Sequence, residues 1–110
     1  MAIDYEAVMQ AVGEYAREVA GVLPVSKAVL YGSYAKGAAN EYSDVDICFF
    51  LDSFGNKRRV DIVSKMLSLT QNYNTIYIEP RAFETSDIGN GNPFVNEVLA
   101  TGKEIPIGAQ

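Results

Sequence analysis

Hydrophobic side chains recur at helical spacing in two segments of the chain, residues 4–20 and residues 57–70. In the first segment the opposite face carries acidic residues, which is typical of an amphipathic helix that lies on a core. Asp4 is placed to cap the start of this helix, and Gly21 is placed to end it. The apolar stripe of the second segment is wider and predicts a second long helix.

Three short apolar runs lie between and after these helices and predict β-strands. They are residues 27–31, 44–51 and 75–79. Pro80 is expected to stop the third strand, because proline cannot donate a hydrogen bond to a neighbouring strand. Residues 34–43 predict a short helical turn followed by a loop, and residues 104–107 predict a short edge strand.

A final helix is predicted near the C-terminus, with Asn92 as its N-cap, Pro93 at its first helical position and Gly102 at its end. The element order is therefore α-β-(short α)-β-α-β-α. Alternate residues within Val45–Leu51 are continuously apolar, so helices are expected to cover that face of the sheet. This order predicts an α+β fold of two layers for residues 1–110 as a single domain, with a small mixed sheet and the helices on one face.

The composition excludes several classes of function. A chain of 110 residues with 48% hydrophobic and 21% charged residues is typical of a globular domain. Its net charge of −5 disfavours direct nucleic-acid binding, and its longest strongly apolar run, residues 47–51, is too short to span a membrane. The first residues lack the features of a secretory signal, so we expect a cytoplasmic protein. Because the sequence has no His and a single Cys, any catalysis must use carboxylates, hydroxyls, Lys, Arg or a hard metal ion.

Three acidic side chains are candidates for a metal site. Asp44 and Asp46 stand two apart on a predicted strand, so their side chains leave the same face, roughly 6–7 Å apart. Glu79 lies on the polar face of the third predicted strand and can join them. At about 6 Å and an effective dielectric constant near 20, each carboxylate pair would cost roughly 3 kcal/mol. A divalent cation would remove most of this repulsion, and ligation by oxygen alone favours Mg²⁺ or Mn²⁺ over zinc.

A glycine–serine pair follows the first predicted strand. At Gly32 the backbone can approach a ligand closely, and the following amides and the Ser33 hydroxyl can donate hydrogen bonds to a phosphate. Each feature alone has a simpler explanation, since Gly-Ser is usually a turn, Asp-x-Asp often caps an element, and Glu79 could be a solvated strand end. The combined spacing, in which ten residues separate Gly-Ser from Asp-x-Asp, arises by chance on the order of once per thousand chains of this length.

Residues 30–52, LYGSYAKGAANEYSDVDICFFLD, resemble the minimal nucleotidyltransferase (MNT) family of the DNA polymerase beta-like nucleotidyltransferase superfamily. The element order extends the resemblance over nearly the whole chain, and it implies the nucleotidyltransferase fold. By this resemblance, Gly32 and Ser33 would contact the nucleotide phosphates, and Lys36 would reach a phosphate. The ligands that it implies for two catalytic Mg²⁺ ions are Asp44, Asp46 and Glu79. The family more often has Asp at the position of Glu79, so this chain departs from the pattern there.

The resemblance also implies an activity and a partner. The reaction would transfer a nucleoside monophosphate, such as AMP from ATP, to an acceptor hydroxyl with release of pyrophosphate, and Glu79 would also accept the hydroxyl proton. Family members often work beside a small helical HEPN protein as a toxin–antitoxin pair, in which some adenylylate a tyrosine of the toxin. A chain of 110 residues has no room for an acceptor-binding domain, so we expect another chain to supply the acceptor.

Two other functions are compatible with the same residues. The chain could be a non-catalytic antitoxin that neutralises its partner by occlusion, an alternative that the departure at Glu79 keeps open. It could also be a nucleotidyltransferase that is completed by homodimerisation and acts on a small hydroxylated substrate.

Overall fold

The computed structural model of the protein describes residues 4–40, 43–73 and 75–108. Its helices are α1 (Tyr5–Val22), α2 (Arg59–Leu69) and α3 (Pro93–Thr101), with short 3-10 helices at Thr70–Tyr73 and Thr85–Asp87. Its strands are β1 (Val25–Tyr31), β2 (Val45–Leu51), β3 (Ile78–Glu84) and β4 (Lys103–Ile105). The α+β class with a small mixed sheet is therefore confirmed.

The four strands form one sheet in the order β3-β2-β1-β4. β1 runs antiparallel to both β2 and β4, whereas β2 and β3 are parallel and are joined through α2. In the described part of the chain, none of the helices has the length and apolarity needed to cross a membrane.

The helix ends follow the sequence signals in part. The Asp4 carboxylate accepts a hydrogen bond from the Ala7 amide at 3.1 Å, so its capping role is confirmed. Gly21 does not end α1, because the helix continues through Val22 and is closed by Leu23, a buried residue that leads directly into β1.

Asn92 caps α3 as predicted, and its side chain accepts hydrogen bonds from the Phe94 and Val95 amides. Gly102 closes this helix, but its φ of −83° is open to any residue. Glycine is needed there because a Cβ would collide with the Val29 side chain and with neighbouring carbonyl oxygens. The end of α3 is thus set by its close approach to β1.

The prediction of a short helix after β1 is wrong. The segment from Gly32 to Gly37 is a series of turns, with the Lys36 amide bonded to the Gly32 carbonyl at 3.1 Å and the Ala38 amide to the Ser33 carbonyl at 3.0 Å. Tyr34 and Ala35 are buried in the core and hold this turn against the sheet. Residues 41 and 42 of the predicted loop lie outside the described residues.

The bounds predicted for the third strand are also wrong, since β3 begins at Ile78 and continues through Pro80 to Glu84. Proline is tolerated because β3 is an edge strand, so the missing N–H faces away from the sheet. The closing strand pairs with β1 as expected, although it occupies residues 103–105 rather than 104–107.

Helices cover both faces of the sheet, which corrects the prediction that they lie on one. α1 and α2 pack on the face formed by the odd-numbered residues of β2, here called the α1/α2 face. α3 packs on the other face, here called the α3 face, against Val29, Cys48 and Phe50. The reason is that the even-numbered residues Cys48 and Phe50 are apolar too and need a cover of their own.

Candidate active site

The candidate acids meet where β2 begins, at the edge of the α3 face. Val45 is fully buried, and its amide donates to the Tyr77 carbonyl at 2.7 Å, which aligns the starts of β2 and β3. In the resulting register Asp46 lies opposite Tyr31 on β1 and opposite Glu79 on β3. Asp46 is therefore the central carboxylate of the site, half-buried, with exposed Asp44 two residues before it.

The electrostatics of Asp46 show that both other acids act on it. Its pKa is raised above the usual 3.8, first by burial and then by the negative charges of Glu79 and Asp44. The positive charge of Arg81 offsets part of this rise. The structure thus brings together the three acids that the sequence singled out, and it adds a cation beside them.

The Gly32 turn lies directly against the Asp46 carboxylate. Gly32 has a φ of 75°, a left-handed conformation that favours glycine. A Cβ at this position would collide with Oδ2 of Asp46, so any larger residue would have to push the Asp46 side chain aside. Ser33 is half-buried in the same turn, and Lys36 extends from it with an exposed side chain. The candidate phosphate-binding turn and the candidate metal-binding acids therefore form one continuous site.

The acids suit a hard cation by their chemistry, since they offer oxygen donors alone. Within the described residues, however, no group of three or more His, Cys, Asp or Glu side chains stands close enough to hold a metal ion as it is. Asp44 and Glu79 are exposed, so both side chains can change rotamer toward Asp46 without disturbing the core. The chemistry of the donors therefore suits Mg²⁺, but the described side chains would have to move closer together to hold it.

Two residues of the site were missed at the level of sequence. Tyr31 faces Asp46 from β1, and burial raises the pKa of its hydroxyl to about 12. Arg81 lies within hydrogen-bonding reach of that hydroxyl, with its guanidinium 5.2 Å from the centre of the Phe94 ring. Arg81 shares the face of Glu79 by strand alternation, but this signal was hidden by ending the strand at Pro80.

Residues 12–90 match the model of the nucleotidyltransferase domain family, and this range includes every predicted site residue. The chain therefore belongs to the nucleotidyltransferase domain family.

Two solved structures share the fold. A Sulfolobus solfataricus protein described as a nucleotidyltransferase is 19% identical, with a TM-score of 0.59 over 78% of this chain and 75% of its own. A structure described as a toxin–antitoxin with AMP-PNP is 20% identical, with a TM-score of 0.56 over 93% of this chain and 74% of its own. The search of curated protein sequences found no significant match.

Proposed function

We propose that this protein is a Mg²⁺-dependent nucleotidyltransferase that moves AMP from ATP to a tyrosine hydroxyl of a HEPN-type toxin, and so acts as its antitoxin. Membership of the nucleotidyltransferase domain family supports the reaction class. The fold shared with a toxin–antitoxin structure that contains AMP-PNP supports the biological setting. The observation that carries the proposal is the contact between the Gly32 turn and the Asp46 carboxylate, which joins a phosphate-binding element to an acid cluster.

The position of each site residue suggests its role in binding nucleotide, binding metal or accepting a proton. The amides after Gly32 and the Ser33 hydroxyl bind the triphosphate, and the exposed Lys36 ammonium reaches one of its phosphates. Asp44, Asp46 and Glu79 would hold two Mg²⁺ ions, or Mn²⁺ in their place, which would neutralise phosphate charge during transfer. In the absence of histidine, a carboxylate is the group available as a general base.

The chemical step is an in-line displacement at the α-phosphorus. The acceptor oxygen forms a bond to that phosphorus while the bond from phosphorus to the bridging oxygen breaks. Pyrophosphate leaves with the electron pair of the broken bond, and the hydroxyl proton passes to the Glu79 carboxylate. Glu79 suits this role because it is exposed at the start of β3, where an acceptor from another molecule can reach it.

A second candidate, a non-catalytic antitoxin that blocks its partner by occlusion, is favoured by one observation. The described acids do not form a ready-made set of metal ligands. Glu79, one carbon longer than the Asp that is more common in the family, is the member that departs from the pattern. This candidate keeps the toxin partner and removes the transfer reaction.

The test is to incubate the protein with α-labelled ATP, Mg²⁺ and the protein that the adjacent gene encodes. We expect label on a tyrosine of that protein, and a loss of about 100-fold or more in Asp44→Asn/Asp46→Asn. Asp52→Asn, which removes an exposed acid at the far end of β2, is the matched control and should keep full activity. Label transfer that persists in Asp44→Asn/Asp46→Asn contradicts the proposed site.

The same experiment separates the alternatives. If the partner is inhibited without becoming labelled, occlusion is the function. If label appears on an added small hydroxylated compound with no partner present, the protein is a transferase for small substrates, and its oligomeric state then decides whether a homodimer completes the site.

A further inference from the structure

A groove of about 370 Å³ runs along the open edge of β3, immediately beside the candidate active site. It is lined by Arg59, Val63 and residues 79–83. Glu79, the candidate base, forms one end of it, and Phe83 lies toward the other. The groove is therefore continuous with the place where an acceptor hydroxyl would have to arrive.

Two arginines of this groove are held by aromatic rings. Arg59 lies over Phe83, 5.2 Å from the ring centre, and its Nε donates to the Ala82 carbonyl at 2.9 Å. Arg81 lies over Phe94 at 5.2 Å, and the rings of Phe94 and Phe83 stack on each other with their centres 5.6 Å apart. The rings orient both guanidinium groups in advance, at little further cost in conformational entropy on binding.

Neither arginine forms a salt bridge in the described part of the chain, although the charge of Arg81 acts on Asp46 and its guanidinium lies within hydrogen-bonding reach of the Tyr31 hydroxyl. Among the described residues, neither Arg59 nor Arg81 lies within 4 Å of a carboxylate, whereas the adjacent Arg58 pairs with Asp61 at 3.2 Å. The chain has a net charge of −5, so two oriented cations without a salt bridge in one groove differ from its general acidity. Guanidinium groups bind carboxylates in a planar, two-point geometry, which makes an acidic ligand their natural complement.

The outer edge of β3 has few free backbone groups with which an added strand could pair. Pro80 has no N–H to offer, and the Ala82 carbonyl is already occupied by Arg59. The Glu84 amide is bonded to Asp87 at 2.9 Å. Recognition along this edge must therefore rely on side chains rather than on strand pairing.

We infer that this groove is the acceptor subsite of the transferase, and that it binds an acidic segment of the partner protein. Carboxylates of that segment pair with Arg59 and Arg81, and the acceptor hydroxyl then lies at the Glu79 end of the groove. The repulsion between Glu79 and the segment's acids sets this orientation, because a neutral hydroxyl is favoured over a carboxylate beside Glu79. The inference rests on the proposed function and adds the chemistry of the partner to it.

The test is an NMR titration of the ¹⁵N-labelled protein at low salt, without nucleotide or metal. The ligands are two end-capped tyrosine peptides of opposite charge, EEYEE and KKYKK. We expect EEYEE to shift the amide signals of residue 59 and residues 79–83, and to bind at least about fivefold more tightly than KKYKK. Binding should weaken as salt is added, because the contacts are between charges at the surface.

Variants identify the residues responsible. Arg59→Gln/Arg81→Gln should weaken EEYEE binding by about tenfold. Lys57→Gln/Lys65→Gln, which removes the same charge outside the groove, should change it by less than about twofold. Because Arg59 also bonds the Ala82 carbonyl, thermal melting checks that the double variant is folded. Arg81→Gln alone keeps that bond, and it should weaken binding by about threefold.

The outcomes are distinct. Equal weakening by the lysine variant, or equal binding of both peptides, overturns the inference. It is also overturned if ATP with Mg²⁺ displaces EEYEE and shifts the signals of residue 59 and residues 82–83, which lie away from the proposed metal ligand Glu79, since the groove would then be a nucleotide subsite. If EEYEE binds but no label is transferred to the partner, the proposed reaction is rejected and the groove remains a site for acidic peptides. If label is transferred but EEYEE does not bind, only the role of the groove is rejected.

Discussion

The two faces of the sheet use the same strands in opposite ways. On the α1/α2 face, Val45, Ile47, Phe49 and Leu51 are all fully buried. On the α3 face, Cys48 and Phe50 are fully buried, but Asp46 is only half-buried. β2 is thus covered along its whole length on one side and along only part of it on the other.

Helix length explains the difference. α1 has 18 residues and spans about 27 Å, which exceeds the roughly 23 Å of a seven-residue strand. α3 has nine residues and spans only about 14 Å, so it leaves the start of β2 uncovered. The comparison teaches that the site is the part of the α3 face that its short helix does not reach, where ionised groups can stay hydrated.

The largest effect is expected from truncating the fully covered face. Phe49→Ala should lower the free energy of unfolding by about 3–5 kcal/mol, because it removes a fully buried ring and leaves a cavity. Phe94→Ala removes the same atoms from the α3 face, where the ring is only partly buried, and should cost about half as much. Urea denaturation measures both changes, and equal losses would contradict the contrast between the faces.

A smaller loss of stability is expected where the Gly32 turn contacts the Asp46 carboxylate. Gly32→Ala should destabilise the protein by about 2 kcal/mol, because it adds a collision with Asp46 to the cost of a positive φ. Gly37→Ala is the matched control, since Gly37 has a φ of 71° but open space around a Cβ, and it should cost only about 1 kcal/mol.

A double-mutant cycle isolates the contact. In an Asp46→Ala background, Gly32→Ala should lose its extra cost and match the Gly37→Ala variant. An unchanged cost in that background would mean that the Gly32 turn does not rest on the Asp46 carboxylate.

The smallest effect concerns charge in the uncovered half of the α3 face. Asp46→Asn should raise the free energy of unfolding at neutral pH, by up to about 1 kcal/mol, because the group is partly hydrated. The folded protein raises the pKa of Asp46, so it binds this proton more tightly than the unfolded chain does, and ionisation at higher pH opposes folding.

The pH dependence follows from that direction. The advantage of Asn over Asp should be full above the folded-state pKa of Asp46 and should vanish as the pH falls below its usual value of 3.8. Melting temperatures of the wild type and Asp46→Asn between about pH 3 and pH 7 test this. If the difference between the two melting temperatures grows toward acid pH, the pKa of Asp46 is not raised in the folded protein. Added Mg²⁺-ATP should stabilise the wild-type protein more than Asp46→Asn.

The outcome for the third strand shows how far local pattern can go. Glu79 was placed on the correct face, because alternation from Ile78 holds wherever the strand ends. The strand itself was cut short at Pro80, since a proline inside a strand is acceptable only at an edge, and edge position depends on the order of the strands. Arg81 was missed for the same reason.

Helix α3 shows that local signals can predict where a helix begins and ends but not which face of the sheet it covers. Its N-cap at Asn92 and its end at Gly102 are local signals and were predicted from residue type. The face that it covers depends on how the chain crosses the sheet between Glu84 and Pro93, and residue type alone does not specify that path. The apolar pair Cys48 and Phe50 was the available hint that the second face also needed a helix.

The sequence by itself determined helices α1, α2 and α3, the buried strand β2 and the turn at Gly32, because each depends on periodicity or on backbone freedom over a few residues. Only the tertiary structure decided that Asp46 lies between Tyr31 and Glu79, and that Arg59 and Arg81 share a groove. These neighbours come from distant parts of the chain, so strand register and the length of α3, rather than any local pattern, bring them together.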